Sequence, residues 1–168
     1  VTLGGDTLVE ADETFFVDLS NPVQATLHDM EGKGTIRNDD MPLIAVNNLV
    51  ISEGDAGEQM VTVTVSLSSS SPLTTTVNFA TKDDSAIADQ DYVAATGNLI
   101  FIPGSTQRTF NVKLIGDTQP EATETFRVEL SSPANARIAD NFGLVTIKDD
   151  DEGSPESSQH IFLPVIQN

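Results

Sequence analysis

With 26 Asp and Glu against 8 Lys and Arg in 168 residues, the formal net charge is −18, which repels nucleic acid and anionic membrane and leaves a cation as the natural counterpart. Apolar residues make up 38%, enough for a packed core, while the absence of cysteine excludes disulfides and thiolate metal sites. No apolar run approaches the roughly 20 residues that span a bilayer, and the opening VTLGGDTLVEADE carries no initiator Met and no leader, so the chain reads as a fragment without membrane insertion of its own.

The first stretch, GDTLVEADETFFVDLSNPVQATLHDMEGKGTIRNDD (5–40), returns without a gap as GDTQPEATETFRVELSSPANARIADNFGLVTIKDDD (116–151), with 19 of 36 positions identical. Residues 1–40 are therefore expected to be the C-terminal part of one repeat, and 42–151 a complete one. Within the complete unit, β-branched and aromatic residues alternate, and no stretch longer than a turn has the period of a helix. Seven strands are expected, at 43–51, 59–67, 75–81, 97–102, 108–115, 124–130 and 143–148. They are separated by turn sequences such as SSSSPL, PGST and SSPANA. That count, spacing and punctuation predict an all-β fold, an immunoglobulin-like antiparallel sandwich preceded by part of another. Phe79, Phe101, Phe110 and Phe126 are expected in its core, with Tyr92 anchoring a loop. Residues 152–168, EGSPESSQH and IFLPVIQN, read as a linker and a short apolar end.

If successive strands run up and down, the first, third, fifth and seventh all exit at one pole. Fourteen of the 17 acidic residues between 42 and 168 follow those exits, from Glu53 after the first strand to Asp149, Asp150, Asp151 and Glu152 after the last. For any one Asp, a turn or a solvated charge is the bland explanation. Concentration at one pole favours a cation instead. Carboxylates from several loops match Ca²⁺, which takes roughly six to eight oxygens with little demand on geometry, better than octahedral Mg²⁺.

ISEGDAG, ADQDYVAATGNLIFIPGSTQRTFNVKLIGDT, EATETFRVELSSP and VTIKDDD together resemble the Calx-β domain, the calcium-binding sandwich of sodium–calcium exchangers and of bacterial surface and adhesion proteins. The resemblance implies Ca²⁺ ligands at Glu53, Asp91, Asp117, Glu121, Glu124, Asp149, Asp150 and Asp151. In the partial unit, Asp6, Glu10, Glu13, Asp39 and Asp40 are equivalents of a half-site without its partners. One departure is that Gly116 precedes a single Asp117 where exchanger domains place paired acids. Neighbouring Calx-β repeats or other surface-protein domains are the implied partners, in an extracellular or surface-anchored bacterial protein, placed outside by its repeat layout and missing membrane spans and with a tail that hints at export, with adhesion or cell communication as its role.

Enzymatic activity is not expected: His28 and His160 both lie outside the complete unit, no G-x-S-x-G is present, and no Trp walls a glycosidase cleft. The glycine-rich GGDTL occurs once, too few times for a β-roll, and DDSAIADQDY lacks the central glycine of an EF-hand. The serious rival is a structural spacer whose acids serve solubility only.

Overall fold

The computed structural model of the protein describes residues 2–151. The expected linker and apolar end at 152–168, and Glu152 with them, lie outside the described residues. The strands are β1 (Glu13–Asp18), β2 (Glu31–Ile36), β3 (Leu43–Val46), β4 (Leu49–Ser52), β5 (Gly57–Leu67) and β6 (Thr75–Asp83), followed by β7 (Tyr92–Val93), β8 (Thr96–Phe101), β9 (Gln107–Gly116), β10 (Glu124–Ala134), β11 (Arg137–Ile138) and β12 (Phe142–Lys148). Two five-stranded sheets, ordered β4-β12-β10-β6-β8 and β11-β3-β5-β9-β7, form a sandwich over residues 43–148, while β1 and β2 form a separate hairpin.

Alternation builds the core. Val61, Val63, Val65 and Leu67 of β5 point inward between outward Met60 and Thr62. They meet Val77 and Phe79 of β6, Val112 and Leu114 of β9, Phe126 and Val128 of β10, and Val145 of β12, all buried. Each such side chain contributes about 1.5–3 kcal/mol by leaving water. Of the four phenylalanines expected inside, Phe79, Phe101 and Phe126 are buried, and Phe110 is half-buried, stacked on Phe79 with ring centroids 3.7 Å apart.

The first expected strand, 43–51, is two strands in different sheets. β3 pairs antiparallel with β5, and β4 pairs parallel with β12. The main chain crosses between sheets at Asn47 and Asn48, whose side-chain amides replace the ladder bonds lost there. Thr64 N donates to Asn47 Oδ1 at 2.8 Å, and Leu144 N donates to Asn48 Oδ1 at 2.7 Å. Gly143 makes room for the crossing, because a Cβ at that position would stand 2.6 Å from Asn47 O. The unit also has the short strands β7 and β11, and β10 runs through part of the expected SSPANA turn with an irregularity between Ser131 and Ala134.

The hairpin repeats the back of the sandwich. β1 pairs with β2 from Glu13↔Ile36 to Asp18↔Glu31, and β10 pairs with β12 from Glu124↔Ile147 to Glu129↔Phe142, so the offset of 111 preserves the register.

Candidate metal centre

Strand register delivers the acids. The parallel pair β4 and β12 ends with Ser52 beside Lys148, so the next residues, Glu53 and Asp149, leave the sheet side by side. Glu53 N donates to Lys148 O at 3.0 Å, and Gly54 N donates to Asp150 Oδ1 at 2.9 Å, fixing the two exits together. On the facing sheet β9 ends at Gly116, opposite Gly57, and leads into Asp117. Position 116 has no space for a side chain: a Cβ would press into Gly54 O and stand 2.7 Å from Glu53 O. The glycine thus lets the turn bearing Glu53 rest on the strand bearing Asp117. Asp91 is tied to β9 as well, since Ile115 N donates to its carbonyl at 2.9 Å, and Glu124 opens β10 opposite Ile147.

Two carboxylate triads result. Glu53, Asp149 and Asp151 each bring an oxygen within 4.8 Å of the others, and Asp91, Glu121 and Glu124 do the same. The triads share one field, because the charge of Glu121 in the second raises Glu53 more than any other carboxylate does, and Asp149 and Asp151 of the first act back on Glu121. Asp117 adds its charge to Glu53, Glu121 and Asp151. Two of the eight candidates, Asp117 and Asp150, lie outside both triads: Asp117 Oδ1 accepts from Gln119 N at 2.6 Å, and Asp150 uses Oδ1 to hold Gly54.

Crowding shows in the acidities. Burial pushes the Glu53 carboxyl up to about 7, with the charges of Glu121, Asp149, Asp117 and Asp151 adding to it. Glu124 is also pushed up to about 7, by burial first and then by the charge of Asp91 and a hydrogen bond to it. Glu121 and Asp151 rise in the same sense, again led by desolvation. Glu53 is only 7% exposed, and its Oε1, like Asp151 Oδ2, is a buried oxygen without a hydrogen-bond partner among the described residues. An unpaired buried acceptor costs about 1–3 kcal/mol. An all-oxygen donor set with orphaned buried carboxylate atoms fits a hard divalent cation.

Other acids of the pole hold loops, and Asp91 of the second triad does so as well. Asp83 Oδ1 accepts from Tyr92 Oη and, at 3.1 Å, from Ala88 N, while Asp91 Oδ2 accepts from Ile87 N at 2.7 Å. Asp84 takes Thr125 Oγ1 at 3.0 Å and Arg127 Nη2 at 3.2 Å, which hold its carboxyl below the usual range. Glu58 pairs with Lys113 at 2.6 Å. The positioning roles of Asp83 and Gly116 escaped sequence reasoning; the adjacency of Asp91 and Tyr92 in DQDY was the available signal for the first. Tyr92→Phe removes the hydroxyl from Asp83 while keeping the ring stacked on Phe126. It should cost about 1 kcal/mol and lower the melting temperature by about 5 °C. Tyr92→Leu, which also loses the stack, should cost more, and a thermal melt of the two variants checks the order.

Residues 1–40 are poorer in such groups. Asn38 stands 111 positions before Asp149, accepting from Glu10 N at 3.3 Å, and its own N donates to Asp12 Oδ1 at 3.1 Å. Among the described residues, both triads lie between Glu53 and Asp151.

The family profile described as the Calx-beta domain matches residues 1–40 and 37–151. Extracellular matrix protein 3 of Lytechinus variegatus is 32% identical over 165 residues, covering 86% of this chain and 5% of that protein. Sodium/calcium exchanger 2 of Rattus norvegicus is 38% identical over 68 residues, 40% of this chain and 7% of the exchanger. The chain thus spans a small fraction of either relative. Among solved structures, the apo-form Calx CBD1 domain superposes with a TM-score of 0.57 at 26% identity, over 67% of this chain and 100% of that one. The calcium binding domain CBD12 of CALX1.1 gives 0.57 at 26% identity, over 62% and 42%. No helix among the described residues is long and apolar enough to cross a membrane. With the profile spanning nearly all of its length, this chain belongs to the Calx-beta family.

Proposed function

We propose that residues 42–151 are one complete Ca²⁺-binding sandwich, that residues 1–40 are the back part of a second, and that the acidic pole of the complete unit is the ion site. The observation that carries this reading is the pair of linked triads with buried, unpartnered oxygens on Glu53 and Asp151. Glu53, Asp91, Asp117, Glu121, Glu124, Asp149 and Asp151 are the proposed ligands. Asp150 acts through Gly54, holding the segment after β12 against the turn after β4. Bound Ca²⁺ supplies the positive charge that turns mutual repulsion into cohesion. Glu53, Asp91, Glu121 and Asp149 come from four separate loops, so their convergence ties those loops to the segment leading onward from β12 and stiffens the junction between modules. The output is regulatory or adhesive and not catalytic. The relatives include a matrix protein and exchangers, which supports an extracellular or membrane-associated parent, with neighbouring repeats as partners.

Calorimetric Ca²⁺ titration of the full chain tests this. Saturable binding is expected, with a melting temperature that rises on the order of 10 °C at a hundredfold excess over Kd, equivalent to about 2.7 kcal/mol of mass action. Asp117→Ala should weaken binding directly, and Asp150→Ala more mildly through the released turn. A melting curve unchanged at millimolar Ca²⁺ would identify the unit as a spacer.

A further inference from the structure

Phe15, Val17 and Leu19 are the same residue types as Phe126, Val128 and Leu130, their counterparts 111 positions on, and sit in the same hairpin register. Their surroundings differ sharply. Phe126 and Val128 are fully buried, whereas Val17 is 42% and Leu19 55% exposed. Phe15 alone gains partial cover, by laying its ring across Gly34 as Phe79 lies across Gly97.

In the complete unit the opposite edge of β10 carries β6, β12 carries β4, and the β5–β9 sheet closes over the apolar face. Among the described residues, β1 and β2 have none of these neighbours in their two-stranded sheet. An edge strand with unpaired N–H and C=O groups above a bare apolar face is a template for another strand. We infer that the β1–β2 hairpin is a docking face for the front half of a Calx-beta unit, which adds a β6-type strand antiparallel to β1 and a β4-type strand parallel to β2. The internal duplicate fixes both chemistry and register. The incoming strand alternates apolar residues as Val77 and Phe79 do, and sets its equivalents of Asp83, Thr81 and Phe79 opposite Phe15, Val17 and Leu19. A two-stranded hairpin is marginal alone, so docking should also determine whether 13–36 stays folded. This inference rests on the proposed reading of residues 1–40 as the back part of a unit and not on the ion site, so either can fail without the other.

The test adds a peptide of the β6 sequence TTVNFATKD to the full chain and follows amide hydrogen exchange of residues 13–19. Saturable slowing by about tenfold is expected, absent with a peptide N-methylated at alternate residues. A second measurement fuses a copy of residues 42–116 ahead of Val1, where the high effective concentration removes the entropic barrier facing a short peptide. There residues 13–36 should become as protected as 124–148. Unchanged exchange at 13–36 in the fusion overturns the inference. So does protection of β1 that appears without peptide and grows with protein concentration, which would make a second copy the occupant.

Discussion

Gly116→Ala is expected to disable the acidic pole without touching a carboxylate. The added methyl would be forced into the carbonyl oxygens of Gly54 and Glu53, and backbone cannot swing aside as a side-chain tip can. Overpacking of this kind costs about 1–3 kcal/mol, which for a unit of this size lowers the melting temperature on the order of 10 °C. Relief comes from lifting the 53–57 turn off the end of β9. That separates Glu53 from Asp117 and breaks the Gly54 N to Asp150 bond, so Ca²⁺ affinity should fall at least about tenfold. Gly104→Ala is the control. It lies in the turn between β8 and β9, has φ of 83° and open space around its Cβ, so it should cost stability through backbone strain alone. Calorimetry of the two variants would show both less stable and only Gly116→Ala impaired in Ca²⁺ binding. Equal affinities would refute the positioning role of Gly116.

The metal-free protein should lose stability as pH rises from 5 to 8. Glu53 and Glu124 have folded pKa values raised to about 7, above the ordinary value of 4.5, so between those limits the folded state holds protons that the unfolded chain has released. Their contribution is fully present below about pH 4.5 and is lost as pH climbs through about 7. Ca²⁺ reverses the order, since ligation needs the ionised carboxylates. The difference between melting temperatures with Ca²⁺ and with chelator should widen steadily from pH 5 to pH 8, and binding near pH 6.5 should release protons into a weakly buffered solution. Glu53→Gln separates the two effects: it should raise the melting temperature of the metal-free protein at pH 8, by removing a buried charge, while weakening Ca²⁺ binding. A metal-free melting temperature that is flat or rising over this pH range would show that the raised acidities of Glu53 and Glu124 do not govern stability.

How far the sequence could be read depended on which signal was periodic. Alternation in QMVTVTVSL and TTVNFAT marked β5 and β6, and self-comparison predicted that 5–40 duplicates 116–151, because inward residues must repeat every second position and a duplicated fold keeps its spacing. The split of 43–51 was hidden, since Asn47 and Asn48 interrupt the pattern no more than ordinary outward polar residues would. The pairing of β3 with β5 and of β4 with β12, together with the amide bonds to Thr64 N and Leu144 N, reveals that the chain changes sheets there. Parity of strand direction anticipated one acidic pole. It did not distinguish Glu53, buried and unpartnered, from Asp84, held by Thr125 and Arg127, because both are carboxylates just after the first and third expected strands. What separates them is which neighbours the loop folds against, a long-range contact with no local trace.

The parallel pairing of β4 with β12 bears on what happens when the molecule is pulled. Val145 to Lys148 lie beside Leu49 to Ser52 with both strands pointing the same way, one near the start of the sandwich and the other at its end. Tension on the two ends draws these strands past each other lengthwise, so the evenly spaced bonds between them are loaded together and not peeled one at a time. Glu53 and Asp149 emerge at the forward end of that clamp, where any bridge between them resists the same sliding.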